Sequence, residues 1–278
     1  MEEQTDKQLV QSQFGPNAAK YATSRVHARG ASLERLVELI QPRPAWVALD
    51  IATAAGHTAF VFAPHVAQVT ATDITPEMLD VAAKLAAEKG IDNVDFEPAD
   101  AEKLPFADAS FDLVTCRIAP HHFPHIDRFV AESFRVLKPG GVFAVVDNVV
   151  PDDEAGEFVN RFEKLRDPSH GRCLSQAEWI DQFQAAGFET VYSETAPKRM
   201  TFEPWAVRLD ATSETVETLR TMLREGPQDG LDFLQPRGEG EELTFQLSEA
   251  IIIGRKPGGE YGTVGAPRVR FLNFGRIA

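Results

Sequence analysis

Hydrophobic and polar positions along this chain follow two rhythms that take turns. Short apolar runs at Val47-Ala48-Leu49-Asp50-Ile51, Ala67 to Asp73, Phe111 to Arg117 and Val142 to Asp147 read as buried strands. Between and before them the spacing is three to four: Leu33, Leu36, Val37 and Ile40 lie on one helical face, and Gln41-Pro42-Arg43-Pro44 stops that helix. The segment Gln8 to Ile40 reads as helical throughout. Pro76 to Lys89 is a second helix, with proline in its first turn and Gly90 at its end. Alternating strands and helices predict an α/β fold with a mostly parallel sheet.

Beyond Asp147 the rhythm changes. Pro151-Asp152-Asp153-Glu154 opens a helix running to about Arg166, and Asp167-Pro168-Ser169-His170-Gly171 turns the chain. Ser175-Gln176-Ala177-Glu178 carries the signature of a capping box at the start of another helix. Phe188 to Thr195 and Leu243 to Gly254 read as the final strands, with Glu214 to Arg224 helical between them. Glu225 to Glu242 is rich in glycine, proline and acids and reads as a loop, and Pro257 onward as a loosely ordered tail. No internal repeat is visible.

The first strand ends in an acid, Asp50, and is followed by the small-residue stretch Ile51-Ala52-Thr53-Ala54-Ala55-Gly56 before a helix-like segment. Small residues there let the backbone pass close to a ligand at the mouth of the next helix. The second strand also ends in an acid, Asp73, one strand–helix–strand unit later. An acid at that distance can accept hydrogen bonds from ribose hydroxyls. Capping of the following helices by each aspartate accounts for the same pattern.

Composition narrows the partners. With 28 basic and 42 acidic residues the net charge is −14, so a nucleic acid backbone would be repelled over most of the surface. Two cysteines, Cys116 and Cys173, are too few for a disulfide framework. No apolar run approaches the ~20 residues of a membrane helix, and the acidic start Met1-Glu2-Glu3-Gln4 is unlike a signal peptide, so the expectation is a cytoplasmic protein. A 278-residue chain with 43% hydrophobic residues can bury a sizeable core.

Further segments add to the pair of acids: Glu97-Pro98-Ala99-Asp100-Ala101-Glu102-Lys103-Leu104-Pro105-Phe106, Ala119-Pro120-His121-His122-Phe123 and Arg135-Val136-Leu137-Lys138-Pro139-Gly140-Gly141. In this order and spacing, from about Phe14 to Lys256, the chain resembles the class I S-adenosylmethionine-dependent methyltransferases, in particular the small-molecule branch related to ubiquinone and menaquinone biosynthesis. The resemblance implies a Rossmann-like, doubly wound seven-stranded sheet with its last strand antiparallel. It divides the chain into an N-terminal helical lid (1–44), a cofactor-binding core (45–150), a helical cap insertion (151–187), closing strands and helix (188–256) and a tail (257–278). S-adenosylmethionine is the implied cofactor. Asp50 would orient its methionine portion, Asp73 bind the ribose hydroxyls and Ile74 pack on adenine. Asp100 would accept from the exocyclic amine while the Ala101 amide donates to the ring. Arg117 lies where the methionine end would be, although a solvated strand-end arginine fits the pattern equally. Phe14 and Tyr21 match aromatic positions of the lid, where Tyr21 could reach the cofactor carboxylate or both could serve as packing.

One departure from the family pattern bears on binding. The usual Asp-x-Gly-x-Gly-x-Gly reads here as Asp50 followed by Ala52, Ala54 and Gly56, and a methyl group at a close-approach or positive-φ position is felt. The same loop has too few glycines to seat the diphosphate of a nicotinamide cofactor. Methyl transfer needs alignment, and a base only for some acceptors. His121, His122 and His170 are the candidates, with His122 favoured because its loop should face the cleft, and a structural role open for each. The acceptor pocket is expected between Phe123, Phe158, Phe162, Trp179 and Trp205. No carboxylate cluster suggests a metal ligand set. A small-molecule acceptor is implied, with no nucleic acid or membrane partner, and a homodimer is left open. The altered loop keeps a second reading alive, a protein of this fold that binds cofactor or ligand without methylating.

Overall fold

The computed structural model describes residues 2–19, 30–209 and 211–258. Helices α1 (Glu2–Phe14) and α2 (Ala31–Ile40) precede β1 (Val47–Ile51), α3 (His57–Phe62), β2 (Gln68–Asp73), α4 (Pro76–Lys89), β3 (Val94–Pro98) and β4 (Phe111–Arg117). Then come α5 (Ile126–Val136), β5 (Leu137–Val149), α6 (Glu154–Arg166), α7 (Gln176–Ala185) and β6 (Glu189–Thr201). The chain continues through α8 (Phe202–Ala206), α9 (Ser213–Glu225), α10 (Gln228–Leu234) and β7 (Thr244–Arg255).

All strands join one seven-stranded sheet in the order β3-β2-β1-β4-β5-β7-β6. Pairings from β3 to β5 are parallel, and β7 runs antiparallel to both β5 and β6. Every residue of β4 is buried, which is why it reads as a continuous apolar run, whereas the edge strand β3 exposes most of its length and its alternation with Asp95 and Glu97 hides it in the sequence. Successive residues point to opposite faces. Ala48, Leu113 and Ala144 pack with α2, α3 and α4 on one side, and Leu49, Val114 and Phe143 with α5 and α7 on the other.

Local signals act where the sequence placed them. Gly90 ends α4 at φ 67° with its N–H on the Ala86 and Ala87 carbonyls. Ser175 and Glu178 form the reciprocal capping box of α7, and the Asp153 carboxylate caps α6 through the Ala155 and Gly156 amides.

A third core lies beyond the sheet's carboxyl edge, where β6 and β7 extend past β5 and carry α6 and α8 to α10. Two expectations change here. The stretch read as a loop between Glu225 and Glu242 contains α10, because Leu234 is fully buried and Gly226 and Gly230 lie against Phe158; a Cβ on Gly230 would stand 2.4 Å from that ring. Tertiary packing overrides the composition of the segment. The sixth strand runs on to Thr201 rather than ending near Thr195, because β7 pairs with it over its whole length. No helix among the described residues is long and apolar enough to cross a membrane.

Candidate cofactor cleft and acceptor cavity

The tips of β1 and β2 create the first half of the site. In the loop after β1, Ala52, Ala54 and Gly56 have φ of 53°, 48° and 84°, so all three lie in the left-handed region. That conformation costs an L-residue roughly 1–2 kcal/mol, which makes the two alanines strained where the family has glycine. Gly56 has a second reason to lack a side chain, since a Cβ would meet the Phe60 ring at 2.5 Å. What holds the alanines is the carboxylate of Asp73. It accepts from the Ala54 amide at 2.9 Å through Oδ2 and from the Thr75 amide at 2.9 Å through Oδ1. Asp50 is buried between two hydroxyls, Thr53 Oγ1 at 2.6 Å and Thr115 Oγ1 at 2.7 Å, and burial pushes its carboxyl up to about 6. Burial raises Asp73 as well.

A neighbouring hollow of about 410 Å³ has Ala52, Ile74, Asp100, Ala101 and Phe123 in its walls, with Lys7 and Val10 of α1 across from them. Asp100 accepts from the Glu102 amide at 3.0 Å and from Lys7 Nζ at 2.8 Å, and Gln11 Nε2 donates to the Ile74 carbonyl at 2.6 Å. Helix α1 is thus strapped over this hollow by two polar side chains that the sequence reading did not single out. Nothing distinguishes them in sequence from solvated helix positions. Tyr21 lies outside the described residues.

The main cleft is larger, about 1240 Å³, and continues from the loop toward the third core. Arg117 is buried in its wall, not solvated, and donates to Thr58 Oγ1 at 3.3 Å and Ser32 Oγ at 3.4 Å. The residue after it, Ile118, is β-branched yet has φ 54°, a strain of about 1–3 kcal/mol that turns the chain abruptly into the short 3₁₀ turn Pro120–His122. That turn brings the three candidate histidines together. Ring centroids of His121 and His122 are 4.2 Å apart, and His170 is 5.2 Å from His121 and 6.4 Å from His122.

Their surroundings differ. His121 Nδ1 lies 2.6 Å from Asp147 Oδ1, and the other oxygen of that carboxylate accepts from the His121 amide at 2.9 Å; burial works to lower the imidazole, but Asp147 together with the charges of Glu163 and Asp167 raises it. Nδ1 of His122 is 3.0 Å from the Ser169 carbonyl, so the N–H sits there, and burial lowers this ring to about 4. Phe14 packs edge-on to it at 5.0 Å.

Of the aromatics expected around an acceptor, Phe123 and Trp205 line the cleft. Phe158 and Phe162 are instead buried in the third core and Trp179 in the second. The rings of α6 build the core that joins α6 to α8–α10 and the ends of β6 and β7. Asn148, Met200, Lys198 and Leu247, on the extensions of β5, β6 and β7, and Arg166 at the end of α6 take their places in the wall. Among the described residues, two buried polar atoms in this wall have no hydrogen-bond partner, Asn148 Oδ1 and Arg166 Nε, and the Arg166 guanidinium lies over the Trp205 ring at 4.7 Å.

A sheet with this strand order, a left-handed loop after β1 and acids at the tips of β1 and β2 defines the class I methyltransferase fold. Residues 49–145 match the family described as "Methyltransferase domain". Over 248 residues the chain is 36% identical to the uncharacterised methyltransferase YcgJ of Bacillus subtilis, covering 87% of this chain and 97% of that protein. A crystal structure of a protein assigned as a methyltransferase from Bacillus halodurans C-125, 36% identical, superposes with a TM-score of 0.79 over 82% of this chain and 100% of that one. A shorter match, 44% identity over 109 residues, links 38% of this chain to 41% of the ubiquinone/menaquinone biosynthesis C-methyltransferase UbiE of Brucella anthropi. The chain belongs to the class I S-adenosylmethionine-dependent methyltransferases, a family of enzymes. Its residues fit that cofactor: the loop keeps the glycine-type backbone in spite of its alanines, and the cleft runs on from that loop past Arg117 to His121, Asn148 and Trp205.

Proposed function

We propose that this chain binds S-adenosylmethionine across the tips of β1, β2 and β3 and transfers its methyl group to a small molecule held toward the helical segment 151–187. The observation that carries this reading is the left-handed geometry at Ala52, Ala54 and Gly56, fastened to Asp73 through the Ala54 amide. When bound, the cofactor supplies an electrophilic methyl group on a sulfonium with a neutral thioether as leaving group.

The chain's own residues bind, orient and handle the proton. Asp73 retains unused lone pairs for ribose hydroxyls, since each carboxylate oxygen accepts more than one hydrogen bond. Ile74 provides an apolar face for adenine. Asp100 accepts from its amine beside the Ala101 amide, and Lys7 then shares or yields its oxygen. Asp50 and Arg117 face opposite charges of the methionine end. Residues 1–44 act as a lid, anchored through Lys7 and Gln11, and 151–187 as a cap over the acceptor.

Acceptors that carry an acidic proton need a base near the transferred methyl. His122 was the residue favoured by position in the chain, and its Nε2 is the basic atom once Nδ1 donates to Ser169. Geometry favours its neighbour: a carboxylate orients the His121 ring through Nδ1, as in other base–orienter pairs, while His122 packs against Phe14 and positions it. The test is calorimetric titration with adenosylmethionine, followed by mass spectrometry of candidate acceptors for a gain of one methyl. For an acceptor so found, His121→Ala should lower kcat by ~100-fold or more and His122→Ala by less. Absence of cofactor binding overturns the proposal, and the reverse order of the two variants returns the base to His122.

A further inference from the structure

Behind the acceptor end of the cleft, Glu163, His170 and Cys173 place one donor atom each within 4.8 Å of one another, and all three residues are buried. From this arrangement we propose that Glu163, His170 and Cys173 form a binding site for a single zinc-type divalent ion.

Hydrogen bonding around the group is that of a prepared ligand set. Asn160 Oδ1 can only accept, and it takes a hydrogen bond from His170 Nε2 at 3.1 Å and from the Cys173 amide at 2.7 Å. The His170 proton therefore sits on Nε2 and the lone pair on Nδ1, the arrangement in which metal-bound histidines are held by a partner on the other ring nitrogen. Asn160 Nδ2 also donates to the Cys173 carbonyl at 3.2 Å, so one side chain fixes two donors. The turn carrying His170 is pinned by Gly171 and Arg172, whose amides donate to the His121 carbonyl at 2.8 and 3.1 Å.

Glu163 supplies the second, independent sign. It is a carboxylate 3% exposed, and among the described residues the only hydrogen-bond donor to it is the Cys173 thiol, 3.5 Å from Oε2. A thiol is a weak donor, so the carboxylate keeps acceptor capacity to spare for a metal ion, while its charge also helps to raise the nearby His121 imidazole. One thiolate, one carboxylate and one neutral imidazole cancel a divalent charge completely, which suits a buried site. Thiolate with imidazole selects a borderline ion such as zinc over magnesium or calcium. Zinc bonds of about 2.0–2.3 Å require the donors to close by about 1 Å. Because Glu163 also stands in the cleft wall, the fourth position opens toward the acceptor and takes water or an acceptor oxygen. Binding replaces the S–H bond of Cys173 with an S–Zn bond and releases the proton to solvent.

Chelator-stripped full-length protein is incubated with zinc chloride, desalted and measured by plasma mass spectrometry. Wild type should hold one zinc per chain, and Cys173→Ser, His170→Gln and Glu163→Gln should each lose at least tenfold in affinity. Cobalt(II) should give a thiolate charge-transfer band in wild type that Cys173→Ser lacks. Near-UV circular dichroism checks each fold; should a variant fail to fold, the cobalt band of wild type decides alone. Wild type without bound metal or without the band, or zinc retained by all three folded variants, overturns the site. Adenosylmethionine titration of the same samples reports the cofactor cleft separately, so failure of one reading is not failure of the other.

Discussion

The two ends of the cleft are built in different ways. At the cofactor end, the contacts come from strand tips and a loop within Asp50 to Ala101, and backbone conformation does most of the holding: three left-handed residues and two amides on one carboxylate. The other end is assembled from side chains far apart in the chain, His121, Asn148, Glu163, Met200 and Trp205 among them, beside a third core. On the proposed reading the first end holds the cofactor and the second selects the acceptor. A long strand pair, β6 with β7, is the beam that joins them.

If the halves are energetically separate, a change in the cap core should leave the cofactor end intact. Trp205 is buried, stacked on Phe162 at 4.9 Å and against Phe245 at 4.8 Å. Trp205→Ala should cost about 3–5 kcal/mol and lower the melting temperature by roughly 10 °C, with cofactor affinity changed less than about threefold. An equal loss in affinity, read by calorimetry, would dissolve the distinction.

The converse experiment is Asp73→Ala. Removing the carboxylate frees the Ala54 and Thr75 amides and the proposed ribose partner together, three charge-assisted bonds, and should weaken adenosylmethionine binding on the order of 100-fold while the near-UV tryptophan signal persists. A smaller effect follows from pH. Asp50, pushed up to about 6 by burial, is ionised above that pH and neutral below it. A cationic methionine end binds the ionised form, so affinity should hold above pH ~6 and fall toward tenfold per unit below it. A titration flat from pH 5 to 8 would remove Asp50 from the cofactor site.

The smallest change concerns the strained loop. Ala54→Gly removes about 1–2 kcal/mol of left-handed strain but gives back about 0.4–1 kcal/mol in unfolded-chain entropy. The melting temperature should rise by about 2–4 °C or less, with cofactor affinity equal or tighter. A fall in stability would mean that the alanine methyl packs usefully where family members have glycine.

From the sequence alone came the alternation of strands and helices, the acids at two strand tips, the helix ends at Gly90 and Ser175, and the loop positions Ala52, Ala54 and Gly56. All of these are signals written over a few adjacent residues, where propensity, capping and burial period act locally. The edge strand β3 escaped because solvent faces most of its residues, and helix α10 because Gly226 and Gly230 are set by the Phe158 ring rather than by local preference. The approach of His170 to His121, the pairing of His121 with Asp147, the removal of Phe158, Phe162 and Trp179 into cores and the meeting of Glu163 with Cys173 belong to tertiary structure alone. Each depends on which way a helix face or an extended strand turns once the cap has packed, and side chains separated by tens of residues carry no mutual period in the sequence.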